Sequence, residues 1–503
     1  CVEADLAVWQ WHTSPLQRAV RMQANRTVLF CDLMTMLSTA KVEALFAAAL
    51  GVRGVVPVVL LKARDPVIMR VFSVCSETRF VFLDDYLSEN IWQEAMAEAG
   101  RLLGHAPDLE ALADLEVHGF RTGRNVLSRV VRGFRVGCLD PAKSEHMTAL
   151  RNVLAESLAV SRAASNMLET LAPDKAIFLE KGYTPAGEIY DACLLKGVDT
   201  VQWLGAPQLG HLLFKRYTLA TRADHPFSLG DDSWEQIRRM PWGPAEDARV
   251  LDKIASHYQT GASYNRQQLQ VGKRIMPREE VHERLGVGQE RRLAVVFAHI
   301  LYDATFFYGS SLYPDYEQWL VETVRGAIAN PELDWVVKVH PVNVWRSRMD
   351  RAPMEQLEAR VLAQEFGTLP SHVSLMPADT EINTYSLFSA IDFGLTVRGT
   401  IGMELPCFGV PVVTAGTGRY SGRGFTIDPP DQQAYRQLLA TLHERPALAP
   451  DQVELARKYA YGAFFLRPYP LRSFTLVNDA HSFGVAALQQ SVAVDRDAAL
   501  GAI

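Results

Sequence analysis

Residues 391–414 read IDFGLTVRGTIGMELPCFGVPVVT, and this stretch decides the fold class. A short apolar run ends in the loop 398–400 (RGT), and a helical pattern over Ile401–Phe408 follows it. Gly409 comes directly after that pattern, at the position where left-handed backbone commonly ends a helix. A second apolar run, Val410–Thr414, then begins. The order strand, loop, helix, strand is typical of a parallel sheet with crossover helices.

The same alternation extends over the rest of the chain. In the N-terminal half the predicted strands are Thr27–Asp32, Val55–Leu61, Arg79–Leu83, Ala176–Leu179 and Thr200–Trp203. In the C-terminal half they are Leu293–His299, Trp335–His340, Val373–Met376, Ile391–Leu395 and Val410–Thr414. The predicted helices are Thr39–Leu50, Ser144–Leu171, Tyr313–Ala329, Met354–Glu365, Ile382–Ala390 and Ile401–Phe408. The sequence therefore predicts an α/β fold built from two such units.

A polar, charge-rich stretch over Gly272–Glu290 separates the two halves and is typical of a connection between domains. We expect a Rossmann-like domain with a helical insertion over residues 1–285. A second Rossmann-like domain is expected over residues 286–503, with C-terminal helices that return to the first domain. Because open α/β sheets bind ligands at the carboxyl ends of their strands, we expect the two domains to face an interdomain cleft that holds the site.

Composition limits the class of function. The 503 residues are 48% hydrophobic and 21% charged, which is typical of a globular protein. A net charge of −6 argues against nucleic acid as the main partner. No stretch has the roughly 18 apolar residues that a membrane span requires. We expect a cytoplasmic protein with at most peripheral contact at the inner membrane. The six cysteines lack metal-ligand spacing, so we expect reduced thiols and no metal site.

The loop 398–400 and the residues after it are the strongest candidate binding segment. Gly399 and Gly402 let backbone amides approach an anion, and Thr400 lies where a helix N-terminus offers free N–H groups. Arg398 can add a bidentate contact to a phosphate. Glu404, one turn into the helix, can accept hydrogen bonds from sugar hydroxyls. The alternative is a plain strand-to-helix connection in which Thr400 caps the helix.

Two basic side chains lie in the predicted strand Trp335–His340. Lys338 and His340 are two residues apart, so they share one face of that strand. If this strand neighbours the one that precedes Arg398, both side chains lie close to the loop 398–400 and can meet a phosphate or a sugar carboxylate. The alternative is a structural role for His340.

Three further residues are candidates for catalysis. His299 ends a predicted strand and Asp303 follows in the next loop, where the two can act as acid, base or donor-binding groups. The alternative for Asp303 is a local turn cap. Glu180 follows a strand of the N-terminal half, on the side expected to receive the acceptor, and is a candidate general base. Its alternative is a polar strand end.

Residues 391–414 also carry a family resemblance. Their order of strand, Thr-Gly loop, helical Glu and Gly-x-Pro resembles the donor-binding segment of GT-B glycosyltransferases, which nucleotide-sugar 2-epimerases share. AHILYDATFFYGSSLYPDYEQWL (298–320) and DWVVKVHPVN (334–343) are similar to the bacterial capsule and surface-polysaccharide biosynthesis family, which includes transferases that use CMP-Kdo. The resemblance extends over residues 290–430. It implies a GT-B fold, a nucleotide-activated sugar and no essential metal.

On this resemblance we expect a glycosyltransferase that moves a sugar, with Kdo from CMP-Kdo as one candidate, from a nucleotide donor. The expected acceptor is a surface polysaccharide or a lipid-linked glycan, and no cofactor is expected besides the nucleotide-sugar co-substrate. Three alternatives stay open at this point. They are a nucleotide-sugar 2-epimerase, a CDP-polyol phosphotransferase and a non-catalytic subunit of glycan assembly.

Overall fold

The structure is a computed structural model. It describes residues 26–34, 36–73, 78–104, 108–208, 210–260, 269–270, 272–344, 356–471, 474–478 and 483–488, together with residue 347 and five positions among the first ten residues. The chain packs into two compact units. Unit 1 comprises residues 1–133, 139–222 and the chain from residue 468 onward, and unit 2 comprises residues 134–138 and 223–467. The junction after residue 222 lies N-terminal to the boundary that the sequence predicts at residues 285–286.

The sheet of unit 1 has seven strands among its described residues. They are β1 (Arg26–Cys31), β2 (Val55–Leu61), β3 (Arg79–Phe82), β4 (Lys175–Phe178), β5 (Asp199–Gly205), β6 (His211–Tyr217) and β12 (Tyr469–Pro470). Their spatial order is β12-β6-β5-β4-β1-β2-β3. Strands β1 to β5 are parallel, whereas β6 runs antiparallel to β5 and β12 antiparallel to β6. The sequence-based prediction missed β6, because its sequence HLLFKRY is apolar over only three successive residues and then turns polar.

Helices pack around this sheet. Between residues 26 and 222 the described α-helices are α1 (Leu37–Val52), α2 (Pro66–Phe72), α3 (Glu89–Leu103), α4 (Leu109–Ala113), α5 (Thr122–Phe134), α6 (Ser144–Leu171) and α7 (Ala186–Leu195). Helix α6 has the bounds that the sequence predicts, since a long run of good helix formers without Gly or Pro specifies it locally. Two described strands near the C-terminus, β13 (Phe474–Asn478) and β14 (Phe483–Leu488), form an antiparallel hairpin.

The sheet of unit 2 is parallel throughout its described strands. These are β7 (Leu293–Phe297), β8 (Asp334–Lys338), β9 (Val373–Met376), β10 (Phe393–Thr396) and β11 (Val412–Thr414), in the order β11-β10-β7-β8-β9. Apolar clusters cover both faces of the sheet, which is why its strands are nearly continuous apolar runs. The strand order reverses between β7 and β10, and ligands bind at such a switch point in open α/β sheets.

The helices of unit 2 are α8 (Asp231–Arg238), α9 (Pro244–Thr260), α10 (Arg278–Leu285), α11 (Tyr316–Ile328), α12 (Leu357–Phe366), α13 (Leu387–Ala390), α14 (Ile401–Glu404), α15 (Gln432–Ala440) and α16 (Pro450–Tyr461). The predicted helix over residues 401–408 is divided: α14 is α-helical, and Leu405–Phe408 forms a 3₁₀ turn. Pro406 explains the division, because it has no N–H to continue the α-helical bonding pattern.

Both units have a mainly parallel sheet flanked by helices, so the predicted α/β class with Rossmann-like units is confirmed. Three predicted strand ends are wrong by two residues: one is that of β5, which ends at Gly205 instead of Trp203, and the other two lie in unit 2. Strand β7 ends at Phe297 and β8 ends at Lys338, each two residues earlier than expected, so His299 and His340 lie in loops. After β8, Pro341 follows His340, and proline cannot donate to a sheet ladder.

Four cysteines lie among the described residues, Cys31, Cys138, Cys193 and Cys407, and all four are free thiols. Cys1 and Cys75 lie outside the described residues. Within the described part of the chain, no helix combines the length and the apolar character needed to cross a membrane. No group of three or more His, Cys, Asp or Glu side chains in that part is placed to hold a metal ion.

Candidate functional site

The candidate site lies at the turn that follows β10, where the parallel strands of the unit 2 sheet have their carboxyl ends. We call residues 398–400 the RGT turn. The Thr396 hydroxyl oxygen accepts the Gly399 N–H at 3.1 Å and closes the turn. A Cβ added at Gly399 would lie 2.9 Å from that same oxygen, so a larger residue here would displace the Thr396 hydroxyl. Glycine at position 399 thus leaves room for the hydroxyl that closes the turn.

His299, in the loop after β7, organises the RGT turn from the neighbouring strand. Its Nε2 lies 3.1 Å from the Thr396 hydroxyl. The same nitrogen accepts the backbone N–H of Val397 at 3.2 Å and of Arg398 at 3.3 Å. Burial, followed by the positive charges of Arg398 and Arg419, lowers the pKa of His299 to about 3. The ring is therefore neutral with Nε2 as an acceptor. Its predicted role in proton transfer stays a prediction.

The Arg398 side chain is 4% exposed and holds the loop 308–311 in place. Its Nη1 donates to the carbonyl of Tyr308, and its Nη2 donates to the carbonyl of Ser310 at 3.1 Å and to the hydroxyl of Ser311. Releasing these three hydrogen bonds would remove the support that the guanidinium gives to this loop. The structure thus assigns the terminal nitrogens of Arg398 to loop support. Its predicted contact with a phosphate stays a prediction.

Glu404, the last residue of α14, is 1% exposed. Its Oε2 accepts the Tyr258 hydroxyl at 2.5 Å, while no hydrogen bond joins Oε1 to any residue that the structure describes. Burial raises the pKa of Glu404 to about 7, and the Tyr258 hydrogen bond and the charge of Arg419 oppose that rise. The carboxyl is therefore a fixed group that changes charge near neutral pH, and Oε1 is its candidate ligand-binding oxygen.

Gly402 and Thr400 shape the first turn of α14. A Cβ added at Gly402 would lie 1.9 Å from the hydroxyl oxygen of Tyr420, which itself donates to the Gly399 carbonyl at 2.6 Å. Thr400 precedes the helix, but its side chain makes no capping hydrogen bond, so the alternative of a plain Thr400 cap is not supported. Because α14 has only four residues, its dipole is weaker than that of the predicted eight-residue helix.

Lys338 and His340 lie further from the RGT turn than the sequence suggested. The condition that their strand neighbours the one before Arg398 is not met, since β7 lies between β8 and β10. Lys338 is buried, and burial together with the nearby charge of Lys273 lowers its pKa to about 7. The amine of Lys273 donates to the carbonyl of Ala378 at 2.9 Å. These two amines form a separate basic group at the end of β8.

His340 and Asp303 each belong to a local turn. The Nδ1 of His340 accepts the Val342 N–H at 3.1 Å. Asp303 closes a turn through its backbone N–H, which donates to the Ile300 carbonyl at 3.0 Å, and its charge acts on Tyr316. The turn cap considered as the alternative for Asp303 also stays a prediction. The catalytic role of Asp303 stays a prediction.

Glu180 belongs to unit 1, in the loop after β4. Its Oε1 accepts the backbone N–H groups of Lys181 at 2.8 Å and Gly182 at 3.1 Å. The carboxylate thus stabilises its own loop, which corresponds to the polar strand end considered as the alternative. The role of general base stays a prediction.

Sequence reasoning missed three residues at the RGT turn: Tyr258, Arg419 and Tyr420. Arg419 Nη1 donates to the carbonyl of Arg398 at 3.5 Å, and the charge of Arg419 acts on His299 and Glu404. One signal in the sequence could have indicated it, because Arg419 follows the glycine-rich segment Gly416–Gly418 directly after β11. Tyr258 has no such signal, since it lies far away in sequence on α9.

The site combines two complementary groups around one turn: a carboxyl oxygen that can accept from hydroxyls, and a guanidinium that can donate to an anion. This arrangement suits a ligand that carries both hydroxyl groups and negative charge. The fold and the site thus define an α/β protein with two Rossmann-like units and a polar turn, a candidate binding site, at the switch point of the second.

No family model matches the chain, and the search of curated proteins found no match. Solved structures that match the chain include Thermosulfurimonas dismutans KpsC, a beta Kdo 2,7 transferase, at 17% identity and a TM-score of 0.36, with 64% of this chain and 85% of that chain covered. The UDP-GlcNAc 2-epimerase from Neisseria meningitidis bound to UDP-GlcNAc is similar at 11% identity and a TM-score of 0.29, with 88% and 97% covered.

Proposed function

We propose that this chain is a glycosyltransferase that binds a nucleotide-sugar donor at the RGT turn of unit 2. The observation that carries the proposal is the meeting of Glu404, Arg419 and the neutral His299 at one switch point. In this proposal Glu404 Oε1 accepts hydrogen bonds from the ribose hydroxyls. The donor phosphate lies on the positively charged side of the turn.

In the proposed reaction the bond between the anomeric carbon and the phosphate oxygen breaks, and its electron pair goes to that oxygen. A new bond forms between the anomeric carbon and an acceptor hydroxyl, whose proton passes to a base. Negative charge develops on the departing phosphate, so basic groups held in place before the reaction stabilise it. His299 serves this step by fixing the turn through the N–H groups of Val397 and Arg398.

We propose a CMP-linked acidic sugar of the Kdo type as the first donor to test, with a surface polysaccharide or glycolipid as acceptor. The resemblance in residues 298–343 supports this choice. The buried amine of Lys338 beside Lys273 supports it too, because a sugar carboxylate can pair with these amines. Such a carboxylate would favour the charged form of Lys338 and offset its lowered pKa.

Nucleotide binding and product analysis test the proposal. We expect one of CMP, UDP, GDP and CDP to raise the melting temperature of the protein, since a ligand that binds the native state stabilises it. The matching nucleotide-sugar should then release that nucleotide only when a glycan acceptor is present. If the protein instead converts the sugar nucleotide to its epimer when no acceptor is present, the reaction is epimerisation and the transferase proposal fails. Release of UDP or GDP but not CMP would end the Kdo proposal and leave the transferase proposal standing.

We also expect turnover to continue in EDTA. The guanidinium of Arg419 and the amines of Lys338 and Lys273 can supply the positive charge that a metal ion supplies in other transferases. The measurement is nucleotide release with and without the chelator, at equal ionic strength. Loss of activity that Mg²⁺ or Mn²⁺ restores would show that a metal ion supplies this charge instead.

A further inference from the structure

Arg419 is the cation at the RGT turn whose terminal nitrogens make the fewer hydrogen bonds to described residues. Its side chain is half-buried and lies over the ring of Phe227, with 5.5 Å between the guanidinium carbon and the ring centroid. Its backbone carbonyl accepts the Tyr459 hydroxyl at 2.5 Å, which fixes the start of the side chain. The one hydrogen bond of its guanidinium within the described part of the chain is that of Nη1 to the Arg398 carbonyl, at 3.5 Å.

Arg398 differs from Arg419 in this respect, although it belongs to the turn itself. The terminal nitrogens of Arg398 already donate to two carbonyls and one hydroxyl of the loop 308–311. To bind a phosphate through these nitrogens, Arg398 would have to give up several of these hydrogen bonds. Arg419 would give up only one long hydrogen bond. The cost of rearrangement therefore favours Arg419 as the group that meets an anion.

The positive charge of Arg419 also acts on two groups at the turn, His299 and Glu404. It contributes to the lowered pKa of His299 and opposes the raised pKa of Glu404. A neutral His299 adds no positive charge, and the four-residue α14 adds a weak dipole. Arg398 and Arg419 therefore supply the positive charge at the RGT turn, and of the two Arg419 makes the fewer hydrogen bonds within the described part of the chain.

Building on the proposed function, we infer that Arg419 binds the phosphate of the nucleotide-sugar donor, while Arg398 supports the loop beside it. A guanidinium presents two parallel N–H donors to a phosphate, a geometry that an amine lacks. The contribution of Arg419 should therefore depend on the phosphate of the ligand and not on its base or ribose.

The test uses the full chain and two probes: the best-binding nucleotide of the four named above, and its nucleoside. Arg419→Gln should weaken the nucleotide about tenfold or more, which corresponds to about 1.4 kcal/mol. The affinity for the nucleoside should not change. Arg419→Lys should bind the nucleotide with intermediate affinity, because it keeps the charge and loses the paired donors. Calorimetry measures the nucleotide, and ligand-detected NMR measures the nucleoside.

Arg423→Gln is the matched control, since Arg423 lies four residues further on and donates to Asp231 and the Leu229 carbonyl. It should leave nucleotide affinity unchanged. The inference about Arg419 fails if the wild type and Arg419→Gln bind the nucleotide equally well, or if the substitution weakens nucleoside and nucleotide binding to the same extent. Either result would leave the proposed function standing. If the wild type binds none of the four nucleotides, the proposed function fails and the inference fails with it.

Discussion

Gly402→Ala should abolish measurable nucleotide binding and destabilise the protein. The added Cβ would lie 1.9 Å from the Tyr420 hydroxyl oxygen and 2.3 Å from the ring carbon that bears it. Tyr420 is 1% exposed and packs near Phe425, so its ring has little room to move. Its hydroxyl also holds the Gly399 carbonyl, and any displacement of the ring therefore moves the RGT turn.

Overpacking of this kind costs about 1–3 kcal/mol, and loss of the Tyr420 hydrogen bond adds about 1 kcal/mol. The melting temperature should fall by several degrees, at roughly 2–4 °C for each kcal/mol in a large domain. Differential scanning calorimetry measures stability, and titration with the nucleotide measures binding.

Gly133→Ala provides the control for Gly402→Ala. Gly133 lies near the end of α5, and no atom comes within 4 Å of the position of its added Cβ. Alanine in place of glycine in a helix should stabilise the protein by about 0.5–1 kcal/mol. If Gly402→Ala melted and bound nucleotide like the wild type, the close approach of Tyr420 to the turn would be refuted.

Glu404→Ala should weaken nucleotide binding about tenfold or more, or about 1.4 kcal/mol. The substitution removes the oxygen that is proposed to accept from the ribose hydroxyls, and it leaves the hydroxyl of Tyr258 without its acceptor. Glu454→Ala is a suitable control, because Glu454 is a half-exposed glutamate of α16 that pairs with Lys458. A Glu404→Ala variant that binds like the wild type would remove Glu404 from the site.

The raised pKa of Glu404 adds a pH dependence to this prediction. Its folded-state pKa of about 7 lies above the ordinary value of 4.5, so the carboxyl favours the fold below pH 4.5 and this contribution is lost as the pH rises through 7. Hydroxyl binding favours the charged form, so nucleotide affinity should rise over the same range. In Glu404→Gln, stability and nucleotide affinity should both vary less with pH than in the wild type. Titration of the nucleotide itself affects both proteins equally.

Calorimetric titrations and melts at several pH values between 5 and 8 measure the two dependences. Glu404 does not titrate between pH 5 and 8 if the wild type and Glu404→Gln differ by the same amount, in nucleotide affinity and in melting temperature, at every pH in that range. Glu188 and Glu317 also have raised pKa values of about 7, so the comparison with the variant is needed to isolate Glu404.

The sequence by itself determined where the main strands and helices lie and where the RGT turn is. Strands β7 to β11 were predicted within a few residues, because runs of apolar side chains are local signals of buried strands. Helix α6 was predicted with its true ends. The RGT turn was recognised because the glycines and the residues around it are contiguous in the chain.

Only the tertiary structure decided which side chains share the site and what each can do. The strand order separates Lys338 from the RGT turn by placing β7 between them, and no local pattern encodes that order. Arg398 donates hydrogen bonds to a loop about ninety residues earlier in the chain. Arg419 contacts the turn from the segment after β11, and Tyr258 contacts Glu404 from α9. Hydrophobic periodicity is a property of neighbouring residues, whereas burial, hydrogen-bond partners and pKa values depend on groups that meet only when the chain folds.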